Sequence, residues 1–257
     1  MTDDASEYPA RLYAAVHDGN PGDVEFYRQA CAGAERVIEL GCGDARVLAA
    51  LVEEGRVCVG VDLDPEMLAL ARTRAPQLEL ICADMCALDE LPALAGRRFE
   101  RVLLPHGGLF CPLDPTQLRR MLAGAAELLA PGGQLILDAW AADGFHAEAE
   151  PADLGEGWLE RVKQIEVDGE LWEVLERSGW DKPYQRIDAT YIHVQVGEAE
   201  AVEGTVRQRY VLADELRAEL DAVGLELVSL AGDFEGADYE FESPLMVAIA
   251  RRSSAAC

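Results

Sequence analysis

The sequence predicts an α/β protein built on a parallel, doubly wound sheet, with an antiparallel β meander inserted late in the chain. Between residues 36 and 140, short apolar runs of strand length alternate with amphipathic stretches of helix length. After residue 157, apolar and polar residues alternate with period 2, which indicates antiparallel strands. Helical spacing returns at 214–223, and two final strands are expected at 225–230 and 245–250.

Each element of the first half has its own local signal. Apolar and β-branched runs indicate buried strands, and proline at a first helical position marks a helix start. Asp64-Pro65 is therefore expected to begin one helix, and Pro131-Gly132-Gly133 to end another. The expected strands are 37–40, 57–62, 78–82, 99–104 and 134–140, and the expected helices are 8–16, 23–27, 44–54, 65–71 and 116–129.

The turn after the first strand is the most informative stretch of the sequence. Gly41-Cys42-Gly43 lets the backbone bend sharply and approach a ligand where a Cβ atom would clash. Asp44 is expected to cap the next helix, whose N-terminus is suited to an anion. Ligands of doubly wound sheets bind at the carboxyl ends of the strands, so the turns after strands one to four are the expected site.

The glycine pattern argues against two common nucleotide-binding loops. A dinucleotide fingerprint needs a third glycine, and Arg46 stands at that position. A Walker loop needs a lysine after its glycines, and none follows here. What remains is Glu-x-Gly-x-Gly at 39–43, with Asp62 after the second strand and Asp84 after the third. Three such features at the ends of three successive strands indicate one binding site.

Composition excludes several classes of partner. The net charge of −26, from 48 acidic and 22 basic residues, disfavours nucleic acid and anionic membranes. It indicates either a solvated acidic surface or attraction of a cationic substrate. No apolar run has membrane-spanning length, and the N-terminus carries no targeting pattern, so a cytoplasmic protein is expected. The seven cysteines form no Cys-x-x-Cys pair, and no metal site is expected.

At this point the sequence resembles the class I S-adenosylmethionine-dependent methyltransferases of the small-molecule type. VIELGCGDAR is similar to their first motif, GVDLDPEMLALAR to their second and CADM to their third. LLAPGGQLIL is similar to their turn and fifth strand. The resemblance covers residues 25–140 and 205–252. It implies a Rossmann-like seven-stranded sheet whose last two strands form a hairpin, with the final strand antiparallel.

The resemblance also implies S-adenosylmethionine as cofactor and S-adenosylhomocysteine as product. Gly41 and Gly43 would leave room for the methionine part and the ribose, and the helix start would face the cofactor carboxylate. Asp62 would accept hydrogen bonds from the ribose hydroxyls, and Asp84 one from the adenine amino group. The other implied cofactor residues order the loop, clamp the adenine or line the site: Glu39, Cys42, Leu63, Met85, Leu104, Tyr13 and Tyr27.

The expected division of the chain is a helical N-terminal lid at 1–36, a cofactor-binding core at 37–157 and 205–257, and a β insertion at 158–204. The insertion resembles that of methyltransferases acting on amino sugars and related amines, and would serve as a substrate cap or a dimer surface. Its candidates for substrate contact, which could instead face solvent or a partner, are Tyr184, Tyr191, His193, Arg207, Arg209 and Tyr210. The lid candidates, alternatively ordinary core contacts, are Tyr8, Tyr13 and Tyr27.

Methyl transfer from a sulfonium is an in-line displacement in which positioning of the acceptor is most of the catalysis. An amine or phenol acceptor must also lose a proton, so a base is expected. His106, in the Pro-His-Gly-Gly stretch after the fourth strand, is the leading candidate, with a packed loop histidine as the alternative. The predicted substrate contacts are His17, His106, Tyr191, His193 and Arg209, and the acidic charge favours an amine over a hydroxyl acceptor.

Two other functions fit the same pattern. An aminopropyl transferase shares the fold, although no acidic cluster for a polyamine follows the fourth strand. A non-catalytic S-adenosylmethionine-binding or assembly protein would use the insertion as a dimer surface. A small-molecule methyltransferase, monomeric or homodimeric through the insertion, is the favoured interpretation.

Overall fold

A computed structural model describes residues 8–153, 155 and 159–253 of the chain. The helices of this part are α1 (Ala10–Val16), α2 (Asp23–Ala30), α3 (Arg46–Glu53), α4 (Pro65–Arg74), α5 (Pro115–Leu128), α6 (Ala142–Glu148) and α7 (Ala213–Ala222). The strands are β1 (Arg36–Leu40), β2 (Val57–Asp62), β3 (Glu79–Cys82), β4 (Phe99–Leu104), β5 (Leu129–Trp140), β6 (Ala152–Asp153), β7 (Glu160–Val167), β8 (Glu170–Asp181), β9 (Arg186–Gln195), β10 (Ala201–Arg209), β11 (Leu225–Ala231) and β12 (Leu245–Arg252).

Seven strands form one mixed sheet in the order β11-β12-β5-β4-β1-β2-β3. The pairs from β3 to β5 are parallel, whereas β12 runs antiparallel to both β5 and β11. The predicted doubly wound sheet with an antiparallel last strand is therefore confirmed. Strand order reverses between β1 and β4, and this is the switch point at which such sheets bind ligands.

Local sequence accounts for the helix starts around this sheet. At α4, the Asp64 side chain accepts a hydrogen bond from the Glu66 N–H at 2.7 Å, and Pro65 stands at the first helical position, as expected. At α5, Asp114 accepts hydrogen bonds from the N–H groups of Thr116 and Gln117 at 2.7 and 3.0 Å. Both helices thus begin with an aspartate cap that accepts hydrogen bonds from backbone N–H groups of the first turn.

The turn expected at Pro131-Gly132-Gly133 is instead part of a strand, since β5 already begins at Leu129. The register between β4 and β5 shifts between Phe99 and Arg101. This shift accommodates Pro131, Gly132 and Gly133 within the strand. A Cβ atom at Gly133 would lie 2.9 Å from the Phe99 carbonyl oxygen, so glycine lets the two backbones approach.

A second, antiparallel sheet has the order β10-β9-β8-β6, with β7 also paired to β8. This confirms the predicted antiparallel insertion. Helix α1 packs on it through a buried cluster that includes Tyr8, Leu12, Val16, Ile165 and Trp172. A Cβ atom at Gly204 would lie 2.0 Å from the Tyr8 ring, so glycine at that position of β10 makes room for the ring.

The described residues group into two compact units, one of 8–18 with 148–210 and one of 19–147 with 211–253. These boundaries differ from the expected 1–36, 37–157, 158–204 and 205–257. Helix α1 belongs with the insertion because its apolar face packs on that sheet, whereas α2 places Tyr27 in the core of the seven-stranded unit. Residues 1–7, 154, 156–158 and 254–257, named in the expected division, lie outside the described part of the chain.

Candidate functional site

The glycine turn lies where β1 ends, beside the switch point between β1 and β4. Gly41 and Gly43 have φ angles of 70° and 53°, which favour glycine. The N–H groups of Gly41 and Cys42 donate to the Val61 carbonyl at 2.8 and 3.0 Å, which ties the turn to the end of β2. A residue with a side chain at Gly41 or Gly43 would therefore strain the turn.

Helix α3 does not begin as expected. Asp44 is not its cap; Ala45 precedes the helix in a left-handed conformation with φ of 61°, and no described side chain caps the end. The Asp44 carboxylate instead forms an ion pair with Arg74. The first N–H groups of α3 thus keep no side-chain acceptor in the described structure, which suits an anionic ligand group.

Arg46, which takes the place of a third glycine, is engaged in a two-point ion pair with Asp23. Its Nη1 and Nη2 atoms lie 2.8 and 2.6 Å from the two carboxylate oxygens, and Asp23 is only 2% exposed. A Cβ atom at Gly19 would lie 2.3 Å from the Arg46 guanidinium carbon. The arginine therefore links the start of α3 to the start of α2.

Glu39 is a buried acid directly before the glycine turn. Its side chain is 3% exposed, and its Oε2 atom has no hydrogen-bond partner among the described residues. Burial raises the pKa of Glu39 well above its ordinary value, and the nearby Arg46 opposes this effect. An unpaired buried acceptor is costly unless something donates to it, so this oxygen is a candidate ligand contact.

Asp62 joins the ends of β1 and β2. Its Oδ2 accepts the Gly43 N–H at 2.7 Å, and its Oδ1 accepts the Asp64 N–H at 2.9 Å. Burial raises the pKa of Asp62, while these backbone donors oppose the rise. Each oxygen retains a second lone pair, so the carboxylate can still accept the two hydroxyls of a ribose.

The expected adenine residues lie at the ends of β2 and β3. Leu63 is 66% exposed, which leaves its side chain available to a ligand. Asp84 is exposed, and its Oδ1 accepts the Cys86 N–H at 2.7 Å. The Met85 sulfur lies 3.6 Å from the position of a Cβ atom on Gly41, so the first and third turns are in contact. Cys42 and Leu104, the other expected lining residues, are buried.

His106 begins a turn in an unusual backbone conformation. Its φ angle is 51° and that of Gly107 is 79°. The His106 N–H donates to Asp138 Oδ1 at 3.0 Å, and the Gly107 N–H donates to the Asp138 carbonyl at 2.9 Å. Asp138 was missed by the sequence reasoning, although an acid within the apolar Leu-Ile-Leu-Asp-Ala-Trp run of β5 was a visible signal.

Tyr27, for which the sequence left open a lid position or an ordinary core contact, lies in the core. It is fully buried, and its hydroxyl donates to Asp138 Oδ1 at 2.6 Å. The hydroxyl of a buried tyrosine needs such an acceptor, and the pKa of Tyr27 is raised by burial and by Asp138. The structure therefore gives Tyr27 a contact with β5 in place of an exposed position.

In the other unit the structure brings three predicted substrate residues together with two of the three lid tyrosines. The rings of His17, Tyr191, His193, Tyr8 and Tyr13 form one cluster, with centroid distances from 4.2 Å to 6.3 Å. His193 Nε2 lies 2.9 Å from the Tyr8 hydroxyl, and burial lowers the pKa of His193 to about 4.

The remaining predicted residues of this unit are not in that cluster. Arg209 is buried at the end of β10 and donates to the Gln185 side-chain oxygen at 3.0 Å. Tyr184 is 73% exposed and Tyr210 is fully buried. His106 belongs to the other compact unit.

The described residues include neither a membrane-spanning helix nor a metal-binding cluster. None of their helices is long and apolar enough to cross a membrane. None of their clusters of His, Cys, Asp and Glu has the arrangement of a metal site.

Comparison with known proteins fits this geometry. Residues 37–133, which run from β1 into β5, match the family model described as a methyltransferase domain. Over these residues the chain is similar to a methyltransferase domain. The match covers the turns after β1, β2, β3 and β4, in which the predicted cofactor residues lie, and it confirms the resemblance to class I S-adenosylmethionine-dependent methyltransferases.

Beyond the methyltransferase domain, solved structures extend the likeness to nearly the whole chain. The CcbJ methyltransferase from Streptomyces caelestis is 26% identical, with a TM-score of 0.77 over 93% of this chain and 92% of that one. The sugar N-methyltransferase KedS8 from Streptoalloteichus is 24% identical, with a TM-score of 0.66 over 94% and 88%. The second likeness shows the fold alone.

The relatives found by sequence align with a smaller share of this chain than the solved structures do. A ubiquinone biosynthesis O-methyltransferase from Coxiella burnetii is 29% identical over 133 residues, which are 50% of this chain and 53% of the relative. The chain spans about half the length of the curated relatives it matches. These alignments leave the rest of each protein unmatched.

Proposed function

We propose that the chain is an S-adenosylmethionine-dependent methyltransferase acting on a small-molecule acceptor. The observation that carries this proposal is the set of three features at neighbouring strand ends. An unpartnered buried carboxylate oxygen of Glu39, a glycine turn in a left-handed conformation and the Asp62 carboxylate lie together where β1 and β2 end. The methyltransferase domain spans all three.

The residues present fit the chemical groups of this cofactor. Glu39 Oε2 offers an acceptor to the cofactor ammonium, and the uncapped start of α3 offers donors to its carboxylate. Asp62 retains lone pairs for the ribose hydroxyls. The adenine would be bound by Asp84 and held between apolar side chains, with the site completed by Leu63, Met85, Cys42 and Leu104. S-adenosylmethionine supplies a methyl group on a sulfonium, ready for displacement.

His106 is the proposed base for an acceptor that must lose a proton. It follows β4 at the switch point, and its turn is fixed by hydrogen bonds to Asp138. An imidazole can accept a proton under physiological conditions, which suits removal of a proton from the acceptor. Positioning of the acceptor beside the methyl donor would supply the larger part of the rate.

An amine is the favoured acceptor, although the relatives divide between nitrogen and oxygen chemistry. KedS8 is described as a sugar N-methyltransferase, and the Coxiella relative as an O-methyltransferase. The net charge of −26 favours a cationic molecule at the site. The proposed acceptor contacts outside the core are His17, Tyr191 and His193, with Tyr13 beside them and Arg209 further along the same unit.

Methyl transfer from radiolabelled S-adenosylmethionine tests the proposal. The acceptors would be a set of amino sugars and their hydroxyl counterparts, followed by a metabolite extract. We expect label in the amines and little in the matched hydroxyl compounds. Label confined to the hydroxyl compounds would overturn the amine assignment, and binding of the cofactor without transfer to any fraction would support a non-catalytic protein.

The same assay separates the aminopropyl alternative. Decarboxylated S-adenosylmethionine lacks the carboxylate that the start of α3 would bind, so we expect it to bind more weakly than the intact cofactor. Equal binding, with transfer of the aminopropyl group, would contradict methyl transfer. Light scattering on the purified chain would decide between a monomer and a homodimer formed through the insertion.

A further inference from the structure

Asp138 is a fully buried carboxylate in the middle of the seven-stranded sheet. It lies in β5, opposite Val247 of β12 and directly after Leu137, which pairs with Leu104 of β4. Removing a carboxylate from water is costly unless it is hydrogen-bonded, so its partners define why an acid is placed there.

One oxygen of this carboxylate holds two elements together. Oδ1 accepts the Tyr27 hydroxyl at 2.6 Å from α2 and the His106 N–H at 3.0 Å from the turn after β4. The Asp138 carbonyl accepts the Gly107 N–H at 2.9 Å, so side chain and backbone of one residue bind two successive N–H groups. Oδ2 has no partner among the described residues.

The turn that Asp138 binds is one that needs support. His106 has a φ angle of 51°, in the left-handed region that a residue with a Cβ atom seldom adopts. Such a conformation persists only where the surrounding structure holds it. The two hydrogen bonds from His106 and Gly107 to Asp138 provide that restraint, and the Tyr27 hydroxyl in turn fixes the carboxylate.

We propose that Asp138 is a positioning residue that fixes the His106–Gly107 turn, and thereby the direction of the His106 side chain, with Tyr27 as the group that orients the carboxylate. The proposal rests on the proposed function for the importance of His106 in catalysis. The restraint on the turn itself does not depend on it. Asp138 is not expected to touch the acceptor or the cofactor.

The test is a spectroscopic measurement on His106 itself. The chain has four histidines, so the ring carbon and proton signals of 13C-labelled histidine can be assigned from the spectrum of His106→Gln. We expect Asp138→Ala, which removes both acceptors of the side chain, to displace the His106 signal. Asp138→Asn keeps a neutral acceptor and should give a smaller displacement, as should Tyr27→Phe, which leaves the carboxylate but frees its orientation.

A matched control separates positioning from loss of stability. Phe99 is fully buried at the opposite end of β4, so Phe99→Leu should lower the melting temperature without displacing the His106 signal. An unchanged His106 signal in Asp138→Asn and Tyr27→Phe would overturn the proposal, even if Asp138→Ala fails to fold. An equal displacement in Phe99→Leu would also overturn it.

Turnover measurements distinguish a failure of the positioning role of Asp138 from a failure of the proposed function. If both hold, Asp138→Ala should lower turnover by about 100-fold, the loss expected from a misplaced catalytic group, with S-adenosylhomocysteine affinity unchanged. If His106→Gln keeps full turnover while Asp138→Asn displaces the His106 signal, the base assignment fails and the positioning role stands. If the signal does not move while His106→Gln is inactive, the positioning role fails and the base assignment stands.

Discussion

Arg46 and Asp23 meet in a two-point ion pair, with nitrogen–oxygen distances of 2.8 and 2.6 Å, at the start of the helix that follows the glycine turn. The Arg46 side chain is 19% exposed and that of Asp23 is 3% exposed. From the sequence alone, Arg46 served only as evidence against a dinucleotide-binding loop. In the structure it fixes the start of α2 against the start of α3, and it lies close enough to Glu39 to influence the pKa of that carboxyl.

Replacement of Arg46 by alanine should be strongly destabilising. It would leave the Asp23 carboxylate buried without its partner, at a cost of about 3–5 kcal/mol. Arg46→Lys should cost less, because it keeps the charge but loses the two-point geometry. Urea unfolding would measure both, with Arg251→Ala as the control. Arg251 pairs with Glu226 on the surface, and its loss should cost less than about 1 kcal/mol. Equal losses for Arg46→Ala and Arg251→Ala would contradict this assignment.

Glu39→Gln should stabilise the fold and weaken cofactor binding. The folded-state pKa of Glu39 is raised above its ordinary value of 4.5, so the unfolded chain ionises this group at a lower pH than the folded one. Stability attributable to Glu39 is therefore greatest below pH 4.5 and falls as pH rises toward the folded pKa. The gain in melting temperature from Glu39→Gln should be larger at pH 8 than at pH 5.

Calorimetric titration tests the second part of the Glu39→Gln prediction, the weaker cofactor binding. If Glu39 Oε2 accepts from the cofactor ammonium, Glu39→Gln should weaken S-adenosylhomocysteine binding by about tenfold, the effect of losing a charged hydrogen bond. Unchanged affinity together with a raised melting temperature would assign Glu39 a purely internal role.

Acid should destabilise the unit that contains His193. Burial depresses the pKa of this histidine from 6.5 to about 4, so the neutral form is the one the fold accommodates. Its contribution to stability is complete above pH 6.5 and is lost as pH falls toward 4. Between pH 7 and pH 5 the wild type should lose about 2 kcal/mol more than His193→Gln, which does not titrate. Parallel pH profiles of the two proteins in urea unfolding would contradict this.

Much of the core was predictable because it depends on local patterns. The apolar runs of β1 and β2 and the acids Asp62 and Asp84 at strand ends follow from the burial of parallel strands and from where such sheets bind ligands. The glycine turn was recognisable since positive φ angles require residues such as Gly41 and Gly43.

The contacts that could not be predicted from the sequence join residues that are far apart in the chain. Tyr27 meets Asp138 across 111 positions, and Tyr8 meets His193 across 185. Periodicity assigned both tyrosines to helices but could not show what those helices would pack against, so a lid and a core contact both stayed open for Tyr27. The cap of α3 was misassigned to Asp44 for a related reason, because its carboxylate pairs with Arg74, 30 residues away.

Calorimetric titration of the wild-type chain with S-adenosylhomocysteine tests the central claim most directly, with Asp62→Ala and Asp64→Ala measured alongside. Asp64 caps α4 two residues beyond the site, so its replacement controls for loss of a backbone hydrogen bond. We predict one site in the wild type, a loss of about tenfold or more in Asp62→Ala, and affinity within about twofold of wild type in Asp64→Ala. A wild-type chain that gives no binding heat, or an Asp62→Ala chain that binds as tightly as the wild type, would contradict the account.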